Sequence, residues 1–467
     1  MKNVLLFPIL IGLFIFGCSG DNSSKMDFQR PNIILINVDD LGYMDTELYG
    51  NTDFFTPSIL HLAASGMTFT NAYASAANCA PSRASLLSGM YNPRHGIYTV
   101  GSSERGKSRD RKIIPTANTT SLADSIVTLA EELQFAGYST ISIGKWHIGK
   151  DPTTQGFDQN IGGTHRGHPP TYFSPYQNPK LSDGPDGEYL TDRLTTETIK
   201  VIENSNAPFF LYLPYFAVHT PLQGKEKLVK KYLNRGFTPK TANYGAMVET
   251  MDMNIGRILD ALDHLELRKN TVVIFTSDNG GITAVHSQSP LRAGKGSYYE
   301  GGTKVPLIVS WPGKIEEGSQ SGLPVINIDF YPTILSLAKA GRTGKGPLDG
   351  VDFLPELLGE ELNPGRSLFW HFPVYLQAYD GPGDDARDTL FRTRPGSTLL
   401  KGKWKLHHYF EDDEYELYDL SVDPGERNNL VQSKEDISRE FVKELNNWRN
   451  STGASVPMEP NPDYVEN

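Results

Sequence analysis

Between Pro31 and about Gly341, short apolar runs alternate with helical patterns, and that alternation leaves few folds open. "NIILINV", "STISI", "PFFLYLPY", "TVVIFTS" and "VPLIVSWP" are near-continuous apolar runs, the pattern of strands covered on both faces. Between them "TPSILHLAASG" reads as a helix, with Thr56 as N-cap and Pro57 in its first turn. "SLADSIVTLAEELQFAGY" reads as another, capped by Ser121, with apolar residues three and four apart. "LTDRLTTETIKVIENS", "AMVETMDMNIGRILDALDHL" and "FYPTILSLAKAG" add three more. Strand–helix alternation predicts an α/β fold, a large and mostly parallel sheet flanked by helices.

Near Arg366 the texture changes. "STLLKGKWKLHHYF", with a turn at Lys401-Gly402, and "EYELYDL" predict antiparallel strands, and "SREFVKELNNWRN" a terminal helix. The chain therefore divides into an α/β domain over 31–365 and a small C-terminal α+β subdomain over 366–467. Gly- and Pro-rich stretches at Gly162–Gly187 and Gly381–Gly396 predict long loops, which in compact domains often serve function.

The N-terminus has a lysine and then an apolar run from Val4 to Phe16, too short to span a membrane comfortably. Residues 1–17 read as a secretory signal and 18–30 as a polar tether. "IFGCSG" resembles a bacterial lipobox, in which Cys18 is acylated and anchors the mature chain to a membrane. The expectation is an exported bacterial protein, in the periplasm or at the cell surface as a lipoprotein. The net charge of −11 argues against a nucleic-acid partner.

Chemistry concentrates at two strand ends. Asp39 and Asp40 end "NIILINV", and Asp278 and Asn279 end "VVIFTS". In open α/β sheets, ligands gather at the carboxyl edge of the strands. Three carboxylates and an amide make an all-oxygen set, suited to calcium or magnesium rather than zinc. Apart from Cys18 the chain has one cysteine, Cys79, at the head of "CAPSRASLLSG". Pro81 fits the first turn of a helix, which places Cys79 where free N–H groups favour anions, with Arg83 one turn along on the same face. Buried filler, thiol nucleophile and chemically altered residue all remain open for Cys79. A thiolate beside a hard cation is a mismatch of ligand and metal, and an oxygen nucleophile fits better.

"CAPSRASLLSG" resembles the C-x-P-S-R…G signature of the type I, formylglycine-dependent sulfatases of the alkaline-phosphatase-like superfamily, with Ser88 where threonine is common. "GKWHIG" with Lys145 and His147, "HTPL" with His219, "SDNGG" with Asp278 and Asn279, and "PLRAGKGSYYEGG" with Lys295 follow in the family's order, over about Pro31 to Gly313. The resemblance implies a sulfatase in which a maturation enzyme, formylglycine-generating or anaerobic, oxidises Cys79 to formylglycine. The altered residue would join Asp39, Asp40, Asp278 and Asn279 around one divalent cation, by family habit calcium, with magnesium the alternative. Arg83, Lys145 and Lys295 would hold the sulfate oxygens. His219 would protonate the leaving sugar oxygen, and His147 would take a proton from the second hydroxyl of the formylglycine hydrate.

Substrate contacts are expected from the loops: His165, Arg166 and His168 in "GGTHRGHPPTYFSPY", His371 in "FWHFPVY", and Arg392 and Arg394 in "FRTRPGS". "HFP" and "RPGS" resemble stretches of carbohydrate sulfatases from polysaccharide-degrading bacteria, which implies a sulfated poly- or oligosaccharide substrate. Ulvan, a carrageenan and glycosaminoglycans are all open. The rival readings are a phosphate- or phosphonate-monoester hydrolase of the same superfamily and a non-catalytic glycan-binding surface lipoprotein.

Overall fold

The structure, a computed structural model, describes residues 28–205, 208–379 and 385–466. Cys18 and the expected signal lie outside the described residues. In chain order the strands of the α/β part are β1 (Asn32–Val38), β2 (Met67–Phe69), β3 (Ala72–Tyr73), β4 (Ser139–Ile143), β5 (Gln159–Ile161) and β6 (Phe209–Pro214). They continue with β7 (Thr271–Ser277), β8 (Leu307–Ser310), β9 (Ser319–Ser321) and β10 (Val325–Ile326). Among the described residues eight of them form one sheet in the order β5-β4-β6-β1-β7-β8-β2-β9, while β3 pairs with β10 apart from it. The run β5-β4-β6-β1-β7 is parallel throughout, and β8 enters antiparallel. The fold is the expected α/β arrangement.

β1 shows why its apolar run must be central. All seven of its residues are buried. Ile34, Ile36 and Val38 pack into the core on one face, and Ile33 and Leu35 into the core on the other, as the two-residue repeat of a strand requires. The first face is covered mainly by the long helix Pro239–His264 with Leu190–Asn204 beside it, and the second by Cys79–Ser88, Leu129–Phe135 and Phe330–Leu337. Truncating such a central side chain, Leu35→Ala for instance, costs about 2–5 kcal/mol.

Two helix starts differ from the sequence reading. The helix expected from Ser121 begins at Leu129. Thr128 Oγ1 accepts from the Glu131 N–H and the Glu131 carboxylate accepts from the Thr128 N–H, a capping box that sets the start there. Pro57–Ala64 begins where expected, but Thr56 does not cap it. Asp252, from the long helix, accepts from Ser58 N and Ile59 N at 3.0 and 2.8 Å and takes that role.

The C-terminal part opens with β11 (Ser367–Phe372). A short antiparallel pair follows, β12 (Leu376–Gln377) and β13 (Phe391–Thr393). Then come β14 (Gly396–Lys401), β15 (Trp404–Tyr409) and β16 (Glu414–Asp419). β11-β14-β15-β16 is a four-stranded antiparallel sheet covered by the helix Glu435–Thr452, whose Phe441, Leu445 and Trp448 pack on Trp370, Leu399 and Leu417. The tail then returns to the α/β part, where Ile114 N donates to Glu459 O at 2.8 Å and Asn461 N to Lys112 O at 2.9 Å.

Candidate active site at the strand ends

The parallel register places the site. Val38 of β1 lies opposite Ser277 of β7, so the residues that follow, Asp39-Asp40 and Asp278-Asn279, leave the sheet side by side. Asp278 N donates to Val38 O at 3.0 Å, Asp40 N to an Asp278 carboxylate oxygen at 3.2 Å, and Asn279 Nδ2 to Asp40 Oδ1 at 2.9 Å. On the other flank, Val218 N donates to Asp39 O and Lys145 N to Pro214 O, both at 2.7 Å. These bonds bring the exits of β4 and β6, with Lys145, His147 and His219, to the same edge. Asp40 (φ 63°) and His147 (φ 69°) hold left-handed backbone, a strained state for residues with a Cβ and one that clusters at functional sites.

Cys79 heads a ten-residue helix in which every residue is buried. Its small side chains allow that, and its hydroxyls are satisfied: Ser82 accepts from Asn327 Nδ2 at 2.8 Å and Ser85 bonds His95 Nε2 at 2.9 Å. No side chain caps the N-terminus, so its first amides remain available to an anion. Gly296 N donates to Ala77 O at 2.7 Å and Lys295 N to Gly281 O at 2.8 Å, tying the Cys79, "SDNGG" and Lys295 segments together. The glycines there serve close approach. A Cβ on Gly280 would stand 1.9 Å from Gly301 O, and one on Gly167 would stand 2.5 Å from the His147 ring.

Three cations meet three carboxylates. Lys145 Nζ lies 2.6 Å from Asp39, Arg83 2.7 Å from Asp278, and Lys295 Nζ 2.6 Å from Asp40. Burial raises Asp39 well above the usual carboxylate range, and Asp278 and Asp40 add to that against Lys145 and Arg83. Burial acts the same way on Asp40, but Lys295, His219 and Lys145 outweigh it and hold that carboxyl below its ordinary value. Burial opposes the charges of Arg83 and Lys295, yet Asp278 and Asp40 respectively keep both firmly protonated.

Asp39, Cys79 and Asp278 offer ligand atoms within 4.8 Å of one another. Asp39 Oδ1 and Asn279 Oδ1 are buried and accept no hydrogen bond among the described residues. Buried oxygens of that kind normally have partners. Orphaned oxygens within a carboxylate-rich donor set fit a hard divalent cation.

Cys79, His147, His219 and Lys295 line one open cavity of about 520 Å³, within the range of ligand sites. Cys79 Sγ lies 3.5 Å from His147 Nδ1. Burial pushes the Cys79 thiol up despite Lys145 and Lys295. A thiol held protonated is a poor nucleophile. Burial, helped by Lys145 and Arg83, pushes His147 far down, and burial with Lys295 takes His219 to about 3, so both rings are neutral. His219 Nδ1 bonds Thr220 O at 2.9 Å, leaving Nε2 3.5 Å from Asp40.

Other expected residues are placed differently. Arg83 and Lys145 have no exposed side-chain surface and do not line the cavity. In this structure they neutralise the carboxylates beneath it. His168 lines the cavity and stacks on His219 with centroids 6.1 Å apart, and Arg392 lines it too. His165 and Arg166 are exposed outside the lining. His371 faces the interior instead, bonding Ser397 Oγ at 2.8 Å and Ser455 O at 3.0 Å. Arg394 is taken up by Asp388 and Glu411. Sequence reasoning passed over Arg105, Lys240 and Tyr379, which also line the cavity. They sit in irregular segments, or at a helix start, with no pattern of their own.

With this geometry in hand, comparison with known proteins is specific. The Sulfatase family profile matches residues 31–340, and that of "N-sulphoglucosamine sulphohydrolase, C-terminal" matches 294–451. A sulfatase of Formosa agariphila is 33% identical, over 94% of this chain and 92% of its own. The N-acetylgalactosamine-6-sulfatase of Canis lupus familiaris is 34% identical, over 85% of this chain and 76% of its own. Among solved structures, Ps i-CgsB in complex with k-i-k-neocarrahexaose superimposes with a TM-score of 0.74 at 29% identity, covering 92% of this chain and 95% of that one. The chain belongs to the sulfatase family and is a sulfuric ester hydrolase.

Proposed function

We propose that the protein removes sulfate from the sugars of a sulfated poly- or oligosaccharide, using formylglycine made from Cys79 by a maturation enzyme and one divalent cation, calcium before magnesium. The observation that carries this reading is the meeting of Cys79, His147, His219 and Lys295 in one cavity above the acidic cluster. The carbohydrate part draws support from the relatives, one named for N-acetylgalactosamine 6-sulfate and one solved with a neocarrahexaose.

Asp39, Asp40, Asp278, Asn279 and the altered Cys79 side chain would hold the cation, which when bound offsets the carboxylates and polarises a sulfate oxygen. Formylglycine at position 79 would, as its hydrate, supply an oxygen nucleophile for the sulfur. Around it the chain's own groups divide the work. Lys295, with the uncapped amides at the head of the Cys79 helix, draws the sulfate in and steadies charge on its oxygens. Sulfate binding gives Lys295 an anion to contact beyond Asp40. His147, 3.5 Å from the Cys79 side chain and neutral, is placed to accept a proton from it. His219 lines the same cavity, with Nδ1 bonded to Thr220 O. Neutral in the free site, it can hand over a proton only after the sulfate's negative charge has raised its affinity for one.

Export, with attachment through Cys18, belongs to the same proposal and rests on the apolar run Val4–Phe16 and the lipobox-like "IFGCSG". Peptide mass analysis tests the chemistry, because conversion of Cys79 exchanges sulfur for oxygen and removes two hydrogens. Sulfate release from defined sulfated oligosaccharides should vanish in Cys79→Ala. Full activity with an unaltered thiol would refute the mechanism. Release of phosphate but no sulfate would favour the phosphoesterase reading.

A further inference from the structure

Two guanidinium groups stand next to one another in the cavity wall, and one residue holds both. Gln377, in β12, accepts from Arg105 Nε through its side-chain oxygen at 3.0 Å and from Arg392 Nε through its backbone oxygen at 2.9 Å. Arg105 also donates to Val100 O at 3.2 Å, and Arg392 to Lys295 O at 3.2 Å. The Arg392 guanidinium lies 3.7 Å over the ring of Tyr379. Both planes are thus fixed by neutral groups. Nearby arginines behave otherwise: Arg394 pairs with Asp388 and Glu411, and Arg387 with Glu414. Among the described residues neither Arg105 nor Arg392 has a carboxylate partner, and no Asp or Glu lines the cavity. Burial lowers the proton affinity of Arg105, and the neighbouring charge of Arg392 adds to it.

Such a pair is fixed, without a carboxylate partner among the described residues and open to the cavity, which is the arrangement that recognises a planar or tetrahedral anion. It is not placed for the scissile sulfate. Arg392 holds the backbone oxygen of Lys295, whereas the ammonium of Lys295 reaches Asp40 at 2.6 Å, so the length of a lysine side chain lies between them.

We propose that Arg105 and Arg392 bind a second anionic group of the glycan, a sulfate or carboxylate carried beside the sulfate that is removed. The assignment rests on the reading of the cavity as a sulfated-sugar site, and it narrows the substrate class to glycans with at least two anionic groups close together.

The test uses three disaccharides alike at the scissile sulfate, with a second sulfate, a uronate carboxylate or neither. The matured, calcium-supplied enzyme should favour a doubly charged member by about tenfold or more in kcat/KM, the effect of one charge-assisted hydrogen bond. Whichever of the two is favoured identifies the anion. Arg105→Gln and Arg392→Gln should bring the ratio toward one, chiefly through KM, and Arg392→Lys should fall between. A wild-type ratio near one, or equal losses on all three substrates, overturns the inference while leaving sulfatase activity standing. If the wild type releases no sulfate from any of them, the proposed function fails instead. Calorimetry on Cys79→Ala with the same disaccharides then decides the inference alone: preference for a doubly charged ligand supports it, and equal affinity overturns it.

Discussion

Arg83 donates through Nε to Asp278 at 2.7 Å, and neither side chain has any surface exposed to solvent. The pair joins the Cys79 helix to the end of β7, so it sets the distance between Cys79 and the acidic cluster. Removing Arg83 leaves a buried carboxylate without its counter-charge. Arg83→Ala should cost about 3–5 kcal/mol in urea unfolding. Arg83→Lys should fold better but lose sulfate release, because an ammonium cannot reproduce the two-nitrogen contact.

Asn279 links Asp40 to a donor position with its own carbonyl oxygen unbonded among the described residues. If that oxygen meets a cation, calcium at a hundred times its Kd stabilises the folded chain by about 2.7 kcal/mol, so the thermal midpoint rises with calcium and falls on chelation. Asn279→Ala should move the calcium dependence to higher concentration. Parallel titrations with magnesium rank the two ions, and a midpoint that ignores both would remove the metal from the proposal.

Gly167 faces the His147 ring so closely that a Cβ would lie 2.5 Å from it. Gly167 has a negative φ, so the backbone accepts alanine and the strain falls on the ring. Gly167→Ala should therefore displace His147 and reduce kcat by about 10²-fold, the cost of misplacing a reacting group by an ångström. Unfolding midpoints should barely move. A variant with wild-type kcat would show that His147 does not need its present position.

His95 accepts the Ile97 N–H at Nδ1 and bonds Ser85 at Nε2, which fits a neutral ring, and burial takes its pKa from 6.5 to about 3. Burial does the same to His371. Between pH 6.5 and about 3 the unfolded chain binds more protons at these positions than the folded one, so their contribution to stability is present above 6.5 and is lost as pH falls. Urea midpoints measured from pH 7 to 4 should drop progressively. His95→Gln should flatten that slope even where its stability at pH 7 is lower.

Much of this was readable because the decisive features are local. A largely apolar run closed by Asp39-Asp40 carries its own stop, as does the one closed by Asp278-Asn279, and the two needed only parallel pairing to meet. The Cys79 helix likewise showed its start in Pro81 and its anion-friendly end in Asn78-Cys79. The misreadings have the opposite cause. His371 and Arg394 lie among suggestive neighbours, but their partners Ser455 and Glu411 come from chain far enough away that spacing could not predict them. Arg105 and Gln377 are 272 residues apart, and no pattern near either foretells the other. The start of the Leu129 helix was missed because apolar spacing ran upstream of the capping box that governs it.

The contact between Asp40 and Asp278 spans 238 residues of sequence, and Cys79, at 2% exposure, sits between the segments it joins. During synthesis β1 and the cysteine leave the ribosome long before β7 exists to pair with them. On the proposed mechanism, an enzyme that oxidises Cys79 would have its opening in that interval, and the closing of the sheet would end it. Chains that fold too fast, or whose modification lags, would then be well-formed yet inactive, and the yield of active protein would follow a race between oxidation and folding.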